Sequence, residues 1–419
     1  MWHLIRKLGV VGVGAALLIA PSVGAGAAEK RPGTRYDPGV TDTEIVIGNT
    51  NPYSGPASAY GIVGQAEAAY FRMINDQGGV NGRKIRFLSY DDAYSPPKTV
   101  EQTRKLVEND NVLFLFSSIG TGPSLAVQKY MNQRKVPQVF VASGSSKWGD
   151  PRNFPWSIGM QVPFLVEGRV FGKYLAANYP NAKIGVLFQH DDMGKELLQG
   201  LREGLGARAG QIVVEAPAEV TDPTVDAQLV KIRAADVDVF VNFTSPRAAA
   251  QAMKKIAEIG WKPLHLVTKV STSNATVMKP VGYANVQGVV SATYQKEWGD
   301  PQWKDDPGMK AYDAFMEKYM PGVDKGNSLA LAGYMSAEAL VSVLRQAGDD
   351  LTRANIMKQV ANLKNVQNSV ALPGIFYNTG PDDFFPLEQL RMVRFTDNRW
   401  VGFGPIVSGE LDAKAASGK

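Results

Sequence analysis

Apolar residues fall in short blocks that alternate with longer stretches of helical spacing. Ile45 to Gly48 reads as a strand, Gly64 to Gln77 as a helix stopped by Gly78-Gly79, and Lys84 to Tyr90 as a second strand after the Asn81-Gly82 turn. A helix over Pro97 to Asn109, with proline near its start, precedes a strand over Val112 to Phe116. A helix over Gly122 to Arg134 and a strand over Pro137 to Ala142 complete this run. The cycle then restarts. Helices are predicted at Val166–Asn178, Gly194–Ala207, Val225–Ala234 and Arg247–Ile259, with strands at Lys183–Phe188, Ile212–Ala216, Val237–Phe243 and Leu264–Thr268. Such alternation predicts parallel sheets covered by helices on both faces, and two runs of it predict two similar lobes. A helix-rich tract over Asp306–Leu363 follows, then short strands at Gly374–Tyr377 and Leu390–Phe395.

In open α/β sheets ligands lie beyond the carboxyl ends of strands, where free N–H groups at helix starts favour an anion. Four loops rich in small and hydroxyl residues occupy such places: NPYSGPASAYG (51–61), FSSIGTGPS (116–124), ASGSSKWGD (142–150) and FTSPR (243–247). Turn chemistry alone accounts for any one of them. Four in register predict a ligand cleft, with Tyr53 or Tyr60 packing on the ligand and Trp148 as an aromatic platform.

Composition narrows the classes. At 419 residues the chain exceeds a usual single core. The segment MWHLIRKLGVVGVGAALLIAPSVGAGAAEK has a basic start (Arg6, Lys7), an apolar core over Leu8–Ala20 and a small-residue zone at Ala25–Ala28. It reads as a signal peptide over residues 1–28, which predicts an exported protein in the bacterial periplasm. No later stretch is apolar enough to span a bilayer, so no membrane insertion is expected. The formal charge is +5, and without the leader's Arg6 and Lys7 it falls to +3. Bases and acids are interspersed, which argues against nucleic acid as a partner. The chain has no cysteine, which excludes disulfides and thiolate chemistry.

Catalytic signatures are weak. His3, His190 and His265 have no partners at metal-ligand spacing, and neither a G-x-S-x-G elbow nor a P-loop occurs. Asp91-Asp92 and His190-Asp191-Asp192 follow predicted strands, where helix-capping acids are common. No enzyme activity, metal or cofactor is expected.

The stretches IVIGNTNPYSGPASAYG, INDQGGVNGRKIRFLSYDDAYSP, VPQVFVASGSS and KIGVLFQHDDMGKELLQGLREGL, in this order, resemble the type I periplasmic solute-binding proteins of ABC importers, the leucine/isoleucine/valine-binding class. The resemblance runs from about Glu44 to Phe403. It implies an α/β fold of two Rossmann-like lobes with parallel sheets, joined by a three-segment hinge. The first lobe is expected over 41–161 and 294–371, the second over 162–293 and 372–408, with a flexible tail over 409–419. It also implies that the lobes close on a ligand carboxylate, held in the first lobe by Thr121, Ser143, Gly144 and Ser146, with Tyr60 at the cleft. In the second lobe Met193 stands where relatives carry an aromatic residue. Lys269 lies where relatives that bind α-amino acids supply a glutamate, and no acid occurs between His265 and Lys279. With Phe243 and Thr244 completing the set, this predicts a small carboxylate of aromatic or branched apolar body without an α-ammonium, since a buried ammonium lacking a counter-charge is costly. A glutamate or aspartate from elsewhere, such as Asp191 or Glu297, would reopen amino-acid binding. The family's cystine is absent, with Tyr94 near its place.

The resulting expectation is a monomeric binding protein that delivers its ligand to ABC permease subunits. A periplasmic sensor of the same fold and an exported hydrolase are the competing readings. The hydrolase lacks a nucleophile–base set.

Overall fold

The computed structural model describes residues 34–409. The signal-peptide reading of residues 1–28 lies outside them, as does the tail beyond residue 409. The first sheet is parallel and ordered Lys84–Asp91, Glu44–Asn51, Leu115–Phe116, Gln138–Val141, Ser157–Gly159. Its second strand, EIVIGNTN, is buried at every position after the first. That is why it reads as a continuous apolar run rather than an alternation, as a strand covered on both faces does. Helices Gly61–Asp76, Pro96–Arg104 and Thr121–Arg134 supply the cover.

The second sheet repeats this order with Ile212–Ala218, Ile184–Gln189, Val239–Phe243, Leu264–Val267 and Val290–Thr293, all parallel. An antiparallel hairpin, Gln389–Thr396 and Arg399–Ser408, then extends it at the edge of Val290–Thr293. In both sheets the chain order reverses beside the first strand, and ligands of doubly wound folds bind at that switch point. The loops there carry Tyr60 and Thr121 in one lobe and Met193 in the other.

Helices Phe164–Asn178 and Asp192–Leu205 cross in close contact. Gly168 and Gly172 on one meet Gly200 and Gly204 on the other, so that a Cβ at Gly200 would stand 2.3 Å from the Leu165 carbonyl oxygen. The tract after the second sheet forms helices Pro307–Tyr319, Ser328–Ala347 and Arg353–Val360. Helix Ser328–Ala347 packs on Gly61–Asp76 of the first lobe, with Gly333 against Val63 and Ala66.

Five strands escaped the pattern: Arg35–Tyr36, Asp350–Leu351, Ser157–Gly159 and Val290–Thr293 are too short to show a period, and Gly402, Gly404 and Pro405 interrupt Arg399–Ser408. The strand expected at Gly374–Tyr377 is not formed. Tyr377 makes one bridge to Val366 inside a run of turns.

Candidate functional site

A cavity of about 1040 Å³, its mouth to solvent included, lies between the two sheets. The first lobe contributes Tyr60, Tyr94, Thr121 and Ser143, and the second contributes Glu167, Met193, Lys269 and Val270. Tyr294, Gln295, Met335, Tyr377, Leu387 and Leu390 line it from segments after the second sheet's parallel strands. Apolar side chains make most of the remaining wall, among them Val63, Ile119, Met160, Val162, Phe164 and Leu329.

Five of the nine expected site residues meet here: Tyr60, Thr121, Ser143, Met193 and Lys269. Tyr60 stacks near Tyr94, with ring centroids 6.5 Å apart. The Thr121 and Ser143 hydroxyls are hydrogen-bonded at 2.8 Å, at the start of helix Thr121–Arg134. The other four are not in the wall. Gly144 turns away because its carbonyl accepts from the Phe164 N–H at 2.6 Å and its Cα faces the Val162 carbonyl. Ser146 is held by Glu196, to which its N–H donates at 2.8 Å. Phe243 ends its strand in the core, stacked on Phe171 at 5.9 Å. Thr244 donates to Asn242 Oδ1 at 2.6 Å and is buried. Trp148 is likewise no platform: it is buried against Gly159, outside the cavity wall.

Among the cavity residues that sequence reasoning missed, the charged one is Glu167, in the first turn of helix Phe164–Asn178. Its Oε1 accepts from the Lys269 N–H at 2.7 Å. Burial pushes its carboxyl up to about 7, against the pull of that N–H, the Thr268 hydroxyl and the Lys269 charge. Lys269 Nζ donates to Gln295 Oε1 at 2.9 Å and lies 5.6 Å from the Tyr294 ring centre. Burial lowers its pKa, while Glu297 and Glu167 raise it. An acid from outside the stretch between His265 and Lys279 therefore reaches the cleft, at Glu167. A lone acid inside FLVEGRVFG was the available signal, but acids are common in first turns for their favourable place in the helix dipole. Asp191 is not in the cavity wall: it caps helix Asp192–Leu205, accepting from the Gly194 N–H at 3.2 Å.

The loop 51–61 is tied down from beneath by Asp91. Asp91 accepts from the Tyr53 and Ser54 N–H groups at 2.9 and 3.1 Å, from the Ser54 hydroxyl at 2.6 Å and from Lys98 at 3.0 Å. Burial raises the Asp91 carboxyl, but these donors together hold it below the usual carboxylate range. Tyr53 turns to Ser89, and only Tyr60 reaches the cavity. Under the loop, Asn49 donates to the buried Glu67 at 3.2 Å. Burial raises the Glu67 carboxyl well above normal, and the Ser117 hydroxyl beside it only partly counters this. Glu67 Oε1 has no hydrogen-bond partner, so an ionised carboxylate would be under-satisfied where it is buried, and the group is read as protonated. A folded pKa above the unfolded one makes ionisation of Glu67 cost stability as pH rises from about 4.5. Glu67→Gln is therefore expected to match the wild type near pH 4 and to exceed it near pH 8. Urea midpoints at the two pH values check this, and a variant less stable at pH 8 refutes the protonated reading.

Neither His190 nor His265 enters the cavity. His190 pairs with Glu219 at 2.7 Å on the surface, and burial pushes His265 down to about 3. Among the described residues no group of metal-ligating side chains is assembled and no helix is long and apolar enough to cross a membrane.

Similarity to known proteins agrees with this architecture. The family model described as "Periplasmic binding protein" matches residues 44–399. The leucine-, isoleucine-, valine-, threonine- and alanine-binding protein of Pseudomonas aeruginosa is 24% identical over 310 residues, 73% of this chain and 79% of that protein. A branched-chain amino acid ABC transporter protein from Thermus thermophilus with bound valine superposes with a TM-score of 0.80, at 18% identity, over 88% of this chain and 97% of the other. A solute-binding protein of an ABC transporter from Rhodopseudomonas palustris, in complex with 3,4-dihydroxybenzoic acid, does so with a TM-score of 0.74, at 19% identity, over 89% and 99%. These relatives are binding proteins rather than enzymes. With the family model spanning both sheets and the cavity between them, the chain belongs to the periplasmic binding protein family, in the type I group that includes the leucine/isoleucine/valine-binding proteins.

Proposed function

We propose that this chain is the periplasmic ligand-capturing component of an ABC importer, and that its ligand is an apolar carboxylate without an α-ammonium. The observation that carries this reading is Lys269, a cation in a mostly apolar cavity shared with the Thr121–Ser143 hydroxyl pair. A carboxylate takes hydrogen bonds from those hydroxyls and from N–H groups at the helix start, and Lys269 supplies the opposite charge. An ammonium in the same space meets Lys269 as a like charge. Tyr60, Met193, Phe164 and Met335 suit a branched or aromatic body. That the fold accommodates such a body is supported by the neighbour holding 3,4-dihydroxybenzoic acid. Delivery to a permease is carried over from the ABC-transporter neighbours, and a sensor would use the same capture step with another partner. Amino-acid binding is the second reading, and Glu167 favours it: an ionised Glu167 would pair an ammonium, and a neighbour of the same fold has valine bound.

The pH dependence of affinity separates the two. A bound anion raises the Glu167 pKa above its free value of about 7, so the complex keeps a proton that the free protein loses. Affinity for an amine-free acid is then greatest below pH 7 and falls by up to about tenfold per unit above it. An amino acid held by ionised Glu167 shows the reverse, with affinity rising from pH 5.5 through 7. Calorimetric titration of unfolded and refolded protein with 4-hydroxybenzoate, 2-oxoisocaproate and leucine, from pH 5.5 to 8.5, reads the sign. Binding of leucine alone, strengthening with pH, overturns the amine-free assignment.

A further inference from the structure

We infer that Glu196 is a clasp between the lobes, holding the cleft closed and ordering the loop that presents Ser143 to the ligand. Glu196 belongs to the second-lobe helix Asp192–Leu205. Its Oε1 accepts from the Ser145 hydroxyl at 2.7 Å and its Oε2 from the Ser146 N–H at 2.8 Å. Both donors sit in the first-lobe loop after strand Gln138–Val141. A partly buried carboxylate thus spends both oxygens on charge-assisted bonds across the cleft, the stronger kind of hydrogen bond. The bonds continue inward. The Ser145 N–H donates to Ser143 Oγ at 3.2 Å, and Ser143 Oγ is bonded to Thr121 Oγ1 at 2.8 Å. Clasp and cavity wall are therefore one network, and separating the lobes unties it at Glu196. The neighbouring Lys147–Asp192 pair, at 2.8 Å, also bridges the lobes, but both of its side chains are exposed and such pairs contribute little.

The inference rests on closure of the two lobes and not on which acid is bound, so it is tested without ligand. Amide hydrogen exchange and small-angle scattering are measured on the refolded, ligand-free chain. Glu196→Ala is expected to raise exchange at Ser145 and Ser146 by about tenfold or more and to enlarge the radius of gyration. Strands Gln138–Val141 and Ile184–Gln189 keep their protection, which shows that each lobe stays folded. Lys147→Ala changes the loop by less than about twofold. Ser145→Ala supplies a second route that leaves the second lobe untouched, and it is expected to raise Ser146 exchange by about threefold or more. Loop exchange unchanged in Ser145→Ala, or unchanged in a Glu196→Ala protein whose strands stay protected, overturns the clasp.

Discussion

Replacing Lys269 by methionine is expected to weaken binding of amine-free acids by about thirtyfold to a thousandfold, the usual cost of truncating one partner of a desolvated charge pair. Methionine keeps much of the length of the side chain and removes its charge, so the loss reads the ammonium rather than the packing. Two consequences accompany it. Gln295 Oε1 loses its donor from Lys269, and the Glu167 carboxyl loses a charge that holds its pKa down. Leucine, if it binds at all, should lose less or gain, because the like charge opposing its ammonium is gone. Lys269→Glu carries the same logic further: two carboxylates then face the cavity, which repels acids and favours an ammonium. Titration of the acid that most stabilises the wild type, against both variants, checks this. Unchanged affinity in the methionine variant would place Lys269 outside ligand recognition and leave the Thr121–Ser143 pair to hold the carboxylate alone.

How much of this was legible beforehand depended on whether a residue's place follows from its own strand. Tyr60, Thr121, Met193 and Lys269 each lie in the loop or helix start after a strand's carboxyl end, and the alternation of strands and helices locates such ends. Ser143 is placed the same way. The errors came from the next level. Phe243 and Thr244 also stand at a strand end, but their side chains pack into the lobe, a choice made by Phe171 and Asn242. Ser146 is one step past the cavity because Glu196, fifty residues further along, takes its N–H. Glu167, Tyr294, Gln295 and Met335 could not be found from local pattern. They reach the cavity from a helix face and from later segments, and only packing decides which face turns inward. The charge argument illustrates the cost. The acid-free stretch between His265 and Lys279 was read correctly, yet the acid came from a different helix.

That helix is held where it is by glycine, and the second large effect is expected there. Gly200→Ala should destabilise the protein by about 3 kcal/mol, the upper part of the range for overpacking a close-packed contact. In an exposed helix the same change gains up to about 1 kcal/mol from propensity, so the sign itself is diagnostic. The reason is steric. A Cβ at Gly200 would lie 2.3 Å from the Leu165 carbonyl oxygen and 3.0 Å from the Gly168 Cα, both backbone atoms that no rotamer change relieves. Gly168, Gly172 and Gly204 are equally tight against the partner helix's backbone, so the two helices must move apart as units. Glu167 adjoins Gly168 on one of these helices, and Met193 lies in the first turn of the other. A shift that relieves Gly200 therefore moves both walls of the second-lobe side of the cavity. Gly210→Ala is the control: nothing lies within 4 Å of its would-be Cβ, and its effect should stay within about 0.5 kcal/mol. Guanidinium unfolding of the two variants gives the comparison. A Gly200→Ala protein as stable as Gly210→Ala would mean that the helices separate freely, and that Glu167 is positioned by its bond to the Lys269 N–H instead.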